Sequence, residues 1–305
     1  MGGLSVMYDT IKGLESPVFT RHLGCHIGGC AILLIDLQKA YDTVNWAYLV
    51  ETVQMLEPFD PVLYFWVCRL YRRHNTTIIG CEEGCPVNQG VKQGDCLSPH
   101  LFNFVIQRLF NAITMNMAII PIYHSRDTLL AAYADDVANY CRLLSVKTLL
   151  ETIDAWSQVS GIILNAKKSF LLVYPGEKVE HGDTDEEREE KNKAASVLQE
   201  VRVLCAARGL NIRVAGEESA LLSCGDYLGF PVFMNDESSK LALEDKIKKK
   251  CQDAVGRLNC VANFRTVNIK KRSELFNMYV GFVLVYYSMG GHVSSAVTKF
   301  IDSLS

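Results

Sequence analysis

The sequence predicts an α+β fold in which an antiparallel sheet is backed by helices, and three observations carry that prediction. Leu129 to Ala132 and Val137 to Tyr140 are apolar stretches joined by Tyr133-Ala134-Asp135-Asp136, the pattern of a tight β-hairpin with two carboxylates at its tip. Ala31-Ile32-Leu33-Leu34-Ile35 is a short unbroken apolar run that suits a strand buried on both faces, and it ends in Asp36. Elsewhere apolar residues recur at helical spacing: Trp46, Leu49, Val50, Val53 and Leu56, then Leu101, Phe102, Val105, Leu109 and Ile113, then Val146, Leu149, Leu150, Ile153 and Trp156.

The ends of these elements carry their own signals. Asp42 and Asn45 precede the first helix and read as caps. Ser98 reads as the N-cap of the second, with Pro99 as its first residue. The third stops near Ser160-Gly161. Gly90 to Gly94 forms a loop whose missing side chains let a substrate approach the backbone, while Gln93 offers an amide edge; a plain turn explains the glycines equally well.

The acids are the candidate site. Asp is a common turn residue, so an Asp-Asp turn alone has a structural explanation. Neighbouring carboxylates nevertheless repel unless cations neutralise them. If the hairpin lies beside the buried strand, Asp36, Asp135 and Asp136 converge into an all-oxygen cluster of the kind that holds Mg²⁺ or Mn²⁺.

Five ordered motifs resemble those of the reverse transcriptases, most closely those of retrotransposons lacking long terminal repeats. Asp36-Leu37-Gln38-Lys39-Ala40-Tyr41-Asp42 resembles the first metal motif, with an aromatic residue five positions after the aspartate. Gly90 to Asn103 is similar to the template- and nucleotide-positioning motif, although the family carries a proline where this chain has Cys96. Tyr133 to Asp136 matches the second metal motif, Leu164 to Ser169 resembles the lysine-bearing loop, and Tyr227 to Pro231 the primer-grip turn.

The resemblance implies a polymerase palm followed by a partial helical thumb. It implies two Mg²⁺ or Mn²⁺ ions at Asp36, Leu37, Asp135 and Asp136, and nucleotide contacts from Tyr41, Gln93, Gly94 and either Lys167 or Lys168, with Lys168 favoured. Tyr41 is then the residue that blocks a ribose 2′-hydroxyl; its alternative role is core packing. Tyr227, Leu228 and Gly229 are the expected primer grip. RNA template, DNA primer and deoxynucleoside triphosphates are the expected partners.

Composition fits this reading. The 305 residues are 49% hydrophobic and 21% charged, enough for a substantial core and neither disordered nor fibrous. No apolar run is long enough to span a bilayer and no signal-peptide pattern opens the chain, so no membrane association and an intracellular location, nucleus or cytoplasm, are expected. Eleven cysteines without a paired Cys-x-x-Cys suggest free thiols. His22, Cys25, His26 and Cys30 have metal-ligand residue types but read as a loop before a strand.

The net charge of −3 hides a segregation. Glu177 to Glu200 holds nine acids against four bases and reads as a charged surface helix with a loose start. Lys240 to Arg272 holds ten bases against three acids. Lys248, Lys249, Lys250, Lys270, Lys271 and Arg272 fall where the family places its thumb and are candidate contacts to a nucleic-acid backbone.

The expected organisation is a lead-in remnant of fingers at 1–30, a palm at 31–235 with a charged insertion at about 176–219, and a partial thumb at 236–305. Intact acids favour an RNA-directed DNA polymerase. The short lead-in before Asp36 favours instead a catalytically silent, retrotransposon-derived module that binds nucleic acid or protein. An RNA-templated RNA polymerase is disfavoured by Tyr41.

Overall fold

The computed structural model describes residues 7, 9–12, 14, 27–71, 74–76, 85–123, 130–133, 136–260, 269–288 and 295–303. Asp135 and the His22 to His26 stretch therefore lie outside the described residues. The chain packs as two units, Pro17–Ala215 and a second made of Met1–Ser16 with Gly216–Ser305.

In the first unit β1 (Cys30–Ile35) and β2 (Leu37–Gln38) lead into the short α1 (Ala40–Thr43), α2 (Trp46–Gln54) and α3 (Pro61–Tyr71). The hairpin β3 (His74–Thr76) and β4 (Cys85–Val87) precedes α4 (Ser98–Met115). Then come β5 (Leu130–Tyr133), β6 (Asp136–Arg142), α5 (Val146–Ser160), β7 (Ile163–Leu164), β8 (Phe170–Tyr174), α6 (Asp185–Arg208) and β9 (Asn211–Val214).

Five strands form one sheet in the order β5-β6-β1-β8-β9. Its pairings are antiparallel except the last: β9 runs parallel to β8, and α6 makes the crossover that a parallel pair requires. The run Ala31 to Ile35 is buried along its whole length, as a central strand covered on both faces must be. Ala31, Leu33, Ile35, Val137, Cys141, Leu171 and Val173 join the core formed with Leu49 and Val53 of α2, Phe102, Val105 and Leu109 of α4, and Leu149, Ile153 and Trp156 of α5. The three periodic stretches thus become the helices that back the sheet.

Local details refine the caps. Asn45 caps α2, its side-chain oxygen accepting from the Ala47 and Tyr48 amides at 2.8 and 3.3 Å. Asp42 instead lies inside α1. Ser98 is buried and Leu97 takes the cap position of α4, with Asp95 accepting the Leu97 amide at 3.1 Å. Gly161 ends α5 with a left-handed φ of 77°.

The acidic stretch is charged mainly at its start. Thr184 and Glu187 form a capping box, and the buried Lys191 pairs with Asp183 at 2.8 Å, so the start of α6 is held rather than loose. Those hydrogen bonds, from the Glu180 amide first and then from Lys191, hold the Asp183 carboxyl below its ordinary range. Further along α6, Val197, Leu198, Val201 and Cys205 pack on the core. A charge count cannot detect that apolar stripe.

The described cysteines are free thiols. Burial pushes Cys141 up to about 12 and Cys205 up to about 11, so both are inert at neutral pH. No helix among the described residues is long and apolar enough to cross a membrane.

One core position conflicts with its surroundings. Asn139, in the middle of β6, is fully buried and its side-chain amide finds no hydrogen-bond partner among the described residues. An unpaired buried amide costs about 1–3 kcal/mol. Asn139→Val removes that cost and suits a strand, and is expected to stabilise the fold by about 1 kcal/mol in urea unfolding. A lower midpoint in the variant would contradict this account.

In the second unit β10 (Asp226–Tyr227) and β11 (Phe230–Pro231) form a hairpin. It is followed by α7 (Asp236–Cys260), α8 (Ile269–Phe276), a π-helical turn over Asn277–Gly281, α9 (Phe282–Ser288) and α10 (Ser295–Asp302). The break in packing at Ala215–Gly216 precedes the 235/236 boundary expected from sequence.

Candidate active site

The sheet sets two of the three acids at the same end of neighbouring strands. Ile35 pairs with Val137 in the last rung between β1 and β6, and Asp36 and Asp136 are the next residues along the two segments. Alternation sets the face: Ile35 and Val137 point into the helix-backed core, which turns Asp36 and Asp136 to the opposite side. Tyr133 pairs with Asp136, leaving only Ala134 and Asp135 between β5 and β6.

Asp36 is half-buried and closely held. Its Oδ2 accepts from the Asn165 side-chain amide at 2.9 Å, and its backbone N–H donates to Ser169 Oγ at 3.0 Å. Its carbonyl accepts from the Asn165 N–H at 2.8 Å. Its other carboxylate oxygen, Oδ1, makes no hydrogen bond to a described residue. Leu37 follows in β2, paired with Leu164.

The donor set is chemically suited to a hard divalent cation: carboxylate oxygens at the ends of two neighbouring strands, one of them with an unoccupied oxygen. No group of three or more His, Cys, Asp or Glu side chains forms a cluster among the described residues, Asp135 lying outside them.

Tyr41 and the Gly90 to Gly94 loop form a second wall. The Tyr41 ring stacks on Phe102 with centroids 4.6 Å apart and planes 19° from parallel. Its carbonyl accepts the Val91 N–H at 2.7 Å, while Trp46 Nε1 donates to the Gly90 carbonyl at 2.7 Å. Gly90 has φ 86°, and a Cβ there would lie 2.7 Å from the Asp42 carbonyl oxygen, so the close approach of the loop to α1 requires glycine. Gln93 Nε2 donates to Asp42 Oδ1 at 2.9 Å. Beside this contact lies a largely apolar cavity of about 490 Å³, lined by Trp46, Leu70, Tyr71 and Val91 with Asp42 and Gln93 among its polar groups. The position of Asp42 predicts a cap; its carboxylate instead engages the Gln93 amide.

Lys167 and Lys168 occupy the turn between β7 and β8, exposed and without an ion pair among the described residues. The turn is closed by the Lys168 and Ser169 amides donating to the Asn165 carbonyl at 3.0 and 2.9 Å. Asn165 and Ser169 hold Asp36, and Asn211 holds the turn, contacts that the local sequence pattern does not predict. The first two lie inside the lysine motif, while Asn211 carries no local signal at all.

In the second unit, Leu228 and Gly229 form the two-residue turn of the β10–β11 hairpin with φ of 51° and 75°. Positive φ at both positions is what a type I′ turn demands, and a leucine there costs about 1–2 kcal/mol. The Tyr286 hydroxyl donates to the Leu228 carbonyl at 2.9 Å, and the Tyr286 ring stacks on Phe230 at 5.6 Å. Tyr227 is buried. Lys246 pairs with Asp226 at 2.5 Å and Lys248 with Asp245 at 3.8 Å. Lys249 and Lys250 on α7 and Lys270 and Lys271 on α8 are exposed, and Arg272 is half-exposed.

Residues 4–232 match the family model described as "Reverse transcriptase (RNA-dependent DNA polymerase)". The chain is 32% identical over 163 residues to the "Retrovirus-related Pol polyprotein from type-2 retrotransposable element R2DM" of Drosophila melanogaster, a match covering 52% of this chain and 15% of that protein. It is 29% identical over 153 residues to a Pol polyprotein from a type-1 R2 element of Popillia japonica, covering 46% of this chain and 20% of the relative. The chain therefore matches a minor part of each relative's length. A solved structure of telomerase from Candida albicans, in complex with a TWJ fragment of telomeric RNA, aligns with a TM-score of 0.46 and 10% identity, covering 98% of this chain and 49% of that one.

Proposed function

This chain belongs to the reverse transcriptase family, the RNA-dependent DNA polymerases, and from that premise we propose that it extends a DNA primer along an RNA template with deoxynucleoside triphosphates. The observation that carries the proposal is the β1–β6 register, whose last pair, Ile35 with Val137, sets Asp36 and Asp136 at the same end of neighbouring strands, with Asp135 next to Asp136 in sequence.

Two divalent cations, Mg²⁺ or Mn²⁺, would activate the primer 3′-hydroxyl and stabilise the departing pyrophosphate when bound. Asp36, Asp135 and Asp136 would hold them, with the Leu37 main chain as a further ligand. Tyr41, held in place by Phe102, stands against the ribose and rejects a 2′-hydroxyl. Gln93 and the bare backbone of Gly94 orient the incoming nucleotide; the Asp42 contact fixes which end of the Gln93 amide faces outward. Lys168, with Lys167 beside it, faces the triphosphate and supplies a proton to the leaving group.

Residues 31–235 act as the palm, with the Tyr227 to Gly229 turn as primer grip, and the helices within 236–305 as the thumb. On that thumb the bases of α7 and α8 hold the template-primer backbone. Such binding depends on salt: with about four to six phosphates engaged, log Kd should change with log salt by a slope of about 4–5. The triple replacement Lys248→Ala, Lys249→Ala, Lys250→Ala should reduce that slope by about 2–3 in fluorescence anisotropy. Affinity indifferent to salt would remove the basic helices from the interface.

The deciding experiment is primer extension on an RNA template with the full chain, in Mg²⁺, in Mn²⁺ and in EDTA. Cation-dependent addition of deoxynucleotides is the expected result. Duplex binding without extension under either cation would mean a catalytically silent binding module.

A further inference from the structure

Asp36 is tied to a single turn by its backbone and its side chain alike. Asn165 reaches it twice, with its amide nitrogen on Asp36 Oδ2 at 2.9 Å and its main-chain N–H on the Asp36 carbonyl at 2.8 Å. Ser169 Oγ accepts the Asp36 N–H at 3.0 Å, at the point where the β1 ladder has ended. The turn is braced in its own right from the sheet edge. The Asn211 side-chain amide, on β9, donates to the carbonyls of Lys167 at 2.9 Å, Ala166 at 3.3 Å and Ser169 at 3.4 Å.

We infer that Asn165 is a positioning residue for the Asp36 carboxylate in cation binding, seconded by Ser169, and that Asn211 holds the turn that carries both. The inference rests on the metal-site reading above and adds the group that prepares it. An aspartate at a strand end can rotate about two side-chain bonds. A donor on Oδ2 fixes the carboxylate plane and leaves Oδ1 directed outward with no protein partner among the described residues. Because Lys167 and Lys168 ride on the same turn, one small element sets both the cation-holding acid and the lysines. If Asn165 served only to close the turn, its loss would lower stability and leave cation affinity untouched.

The test measures Mn²⁺ binding to the full chain, without nucleotide, by the electron paramagnetic resonance signal of free Mn²⁺. Wild type, Asp36→Asn, Asn165→Ala, Ser169→Ala and Asn211→Ala are compared. Asn165→Ala should weaken Mn²⁺ binding about tenfold, the effect expected for losing a partner of a metal-binding carboxylate. The Mg²⁺ concentration for half-maximal primer extension should rise by a similar factor, with the rate recovering at saturating Mg²⁺. Weaker binding in Asp36→Asn with unchanged binding in Asn165→Ala would overturn the inference and spare the metal site. Unchanged binding in Asp36→Asn would overturn both. Should Asn165→Ala fail to fold, Ser169→Ala and Asn211→Ala decide: each should weaken Mn²⁺ binding, and affinities equal to wild type would refute the proposal.

Discussion

Asp36→Asn is expected to reduce primer extension about 10³-fold or more while leaving the fold intact. The replacement keeps the size and shape of the side chain and removes its charge. Its oxygen can still accept from Asn165, so the 2.9 Å contact need not be lost. What disappears is the negative charge that neutralises cations at the end of β1. The same loss removes one of two like charges at the shared end of β1 and β6, where Asp36 and Asp136 follow the Ile35–Val137 pair. The variant should therefore melt no lower than wild type in EDTA and gain less than wild type when Mg²⁺ is added. Asp135→Asn should behave alike. Single-turnover extension and thermal unfolding with and without Mg²⁺ measure both effects, and extension within tenfold of wild type would contradict the role assigned to Asp36.

Tyr41→Ala should change both selectivity and stability. The ring lies stacked on Phe102 at 4.6 Å, anchored through the helix face that Phe102 shares with Val105 and Leu109. Removing a half-buried aromatic side chain leaves a gap, and the expected destabilisation is about 2–3 kcal/mol. The same gap admits a 2′-hydroxyl, so ribonucleotide incorporation relative to deoxynucleotide should rise about 10- to 100-fold. Tyr41→Phe separates the two roles of the side chain: with the ring retained, discrimination should stay near wild type. Competition between ribo- and deoxynucleotides in single additions reads the ratio directly. Unchanged discrimination in Tyr41→Ala would reduce Tyr41 to a packing residue.

The elements that sequence reading recovers are those whose cause is local. The run Ala31 to Ile35 is uninterrupted because its strand is covered on both faces. The three helical stretches declare themselves because most of their apolar residues join one core with the sheet. Caps were harder to read. Asn45 caps as its position suggests, whereas Ser98 is buried and the cap position of α4 falls on Leu97. The parallel strand β9 was not legible: Asn211 to Val214 has no long apolar run, and its pairing with β8 depends on a crossover through a helix whose first half is charged. Asn139 conflicts with its burial, and such a conflict shows only when its neighbours are known.

The sequence by itself determined the family, the α+β fold and the order of motifs, since each rests on residue types at short fixed spacings. Only the tertiary structure decided that Asp36 and Asp136 share one end of neighbouring strands, that Asn165 and Ser169 hold Asp36, that Asn211 braces their turn, and that Gln93 leans on Asp42. These contacts join residues far apart in the chain. Strand register and packing create them, and no local periodicity records which distant amide will meet which carboxylate.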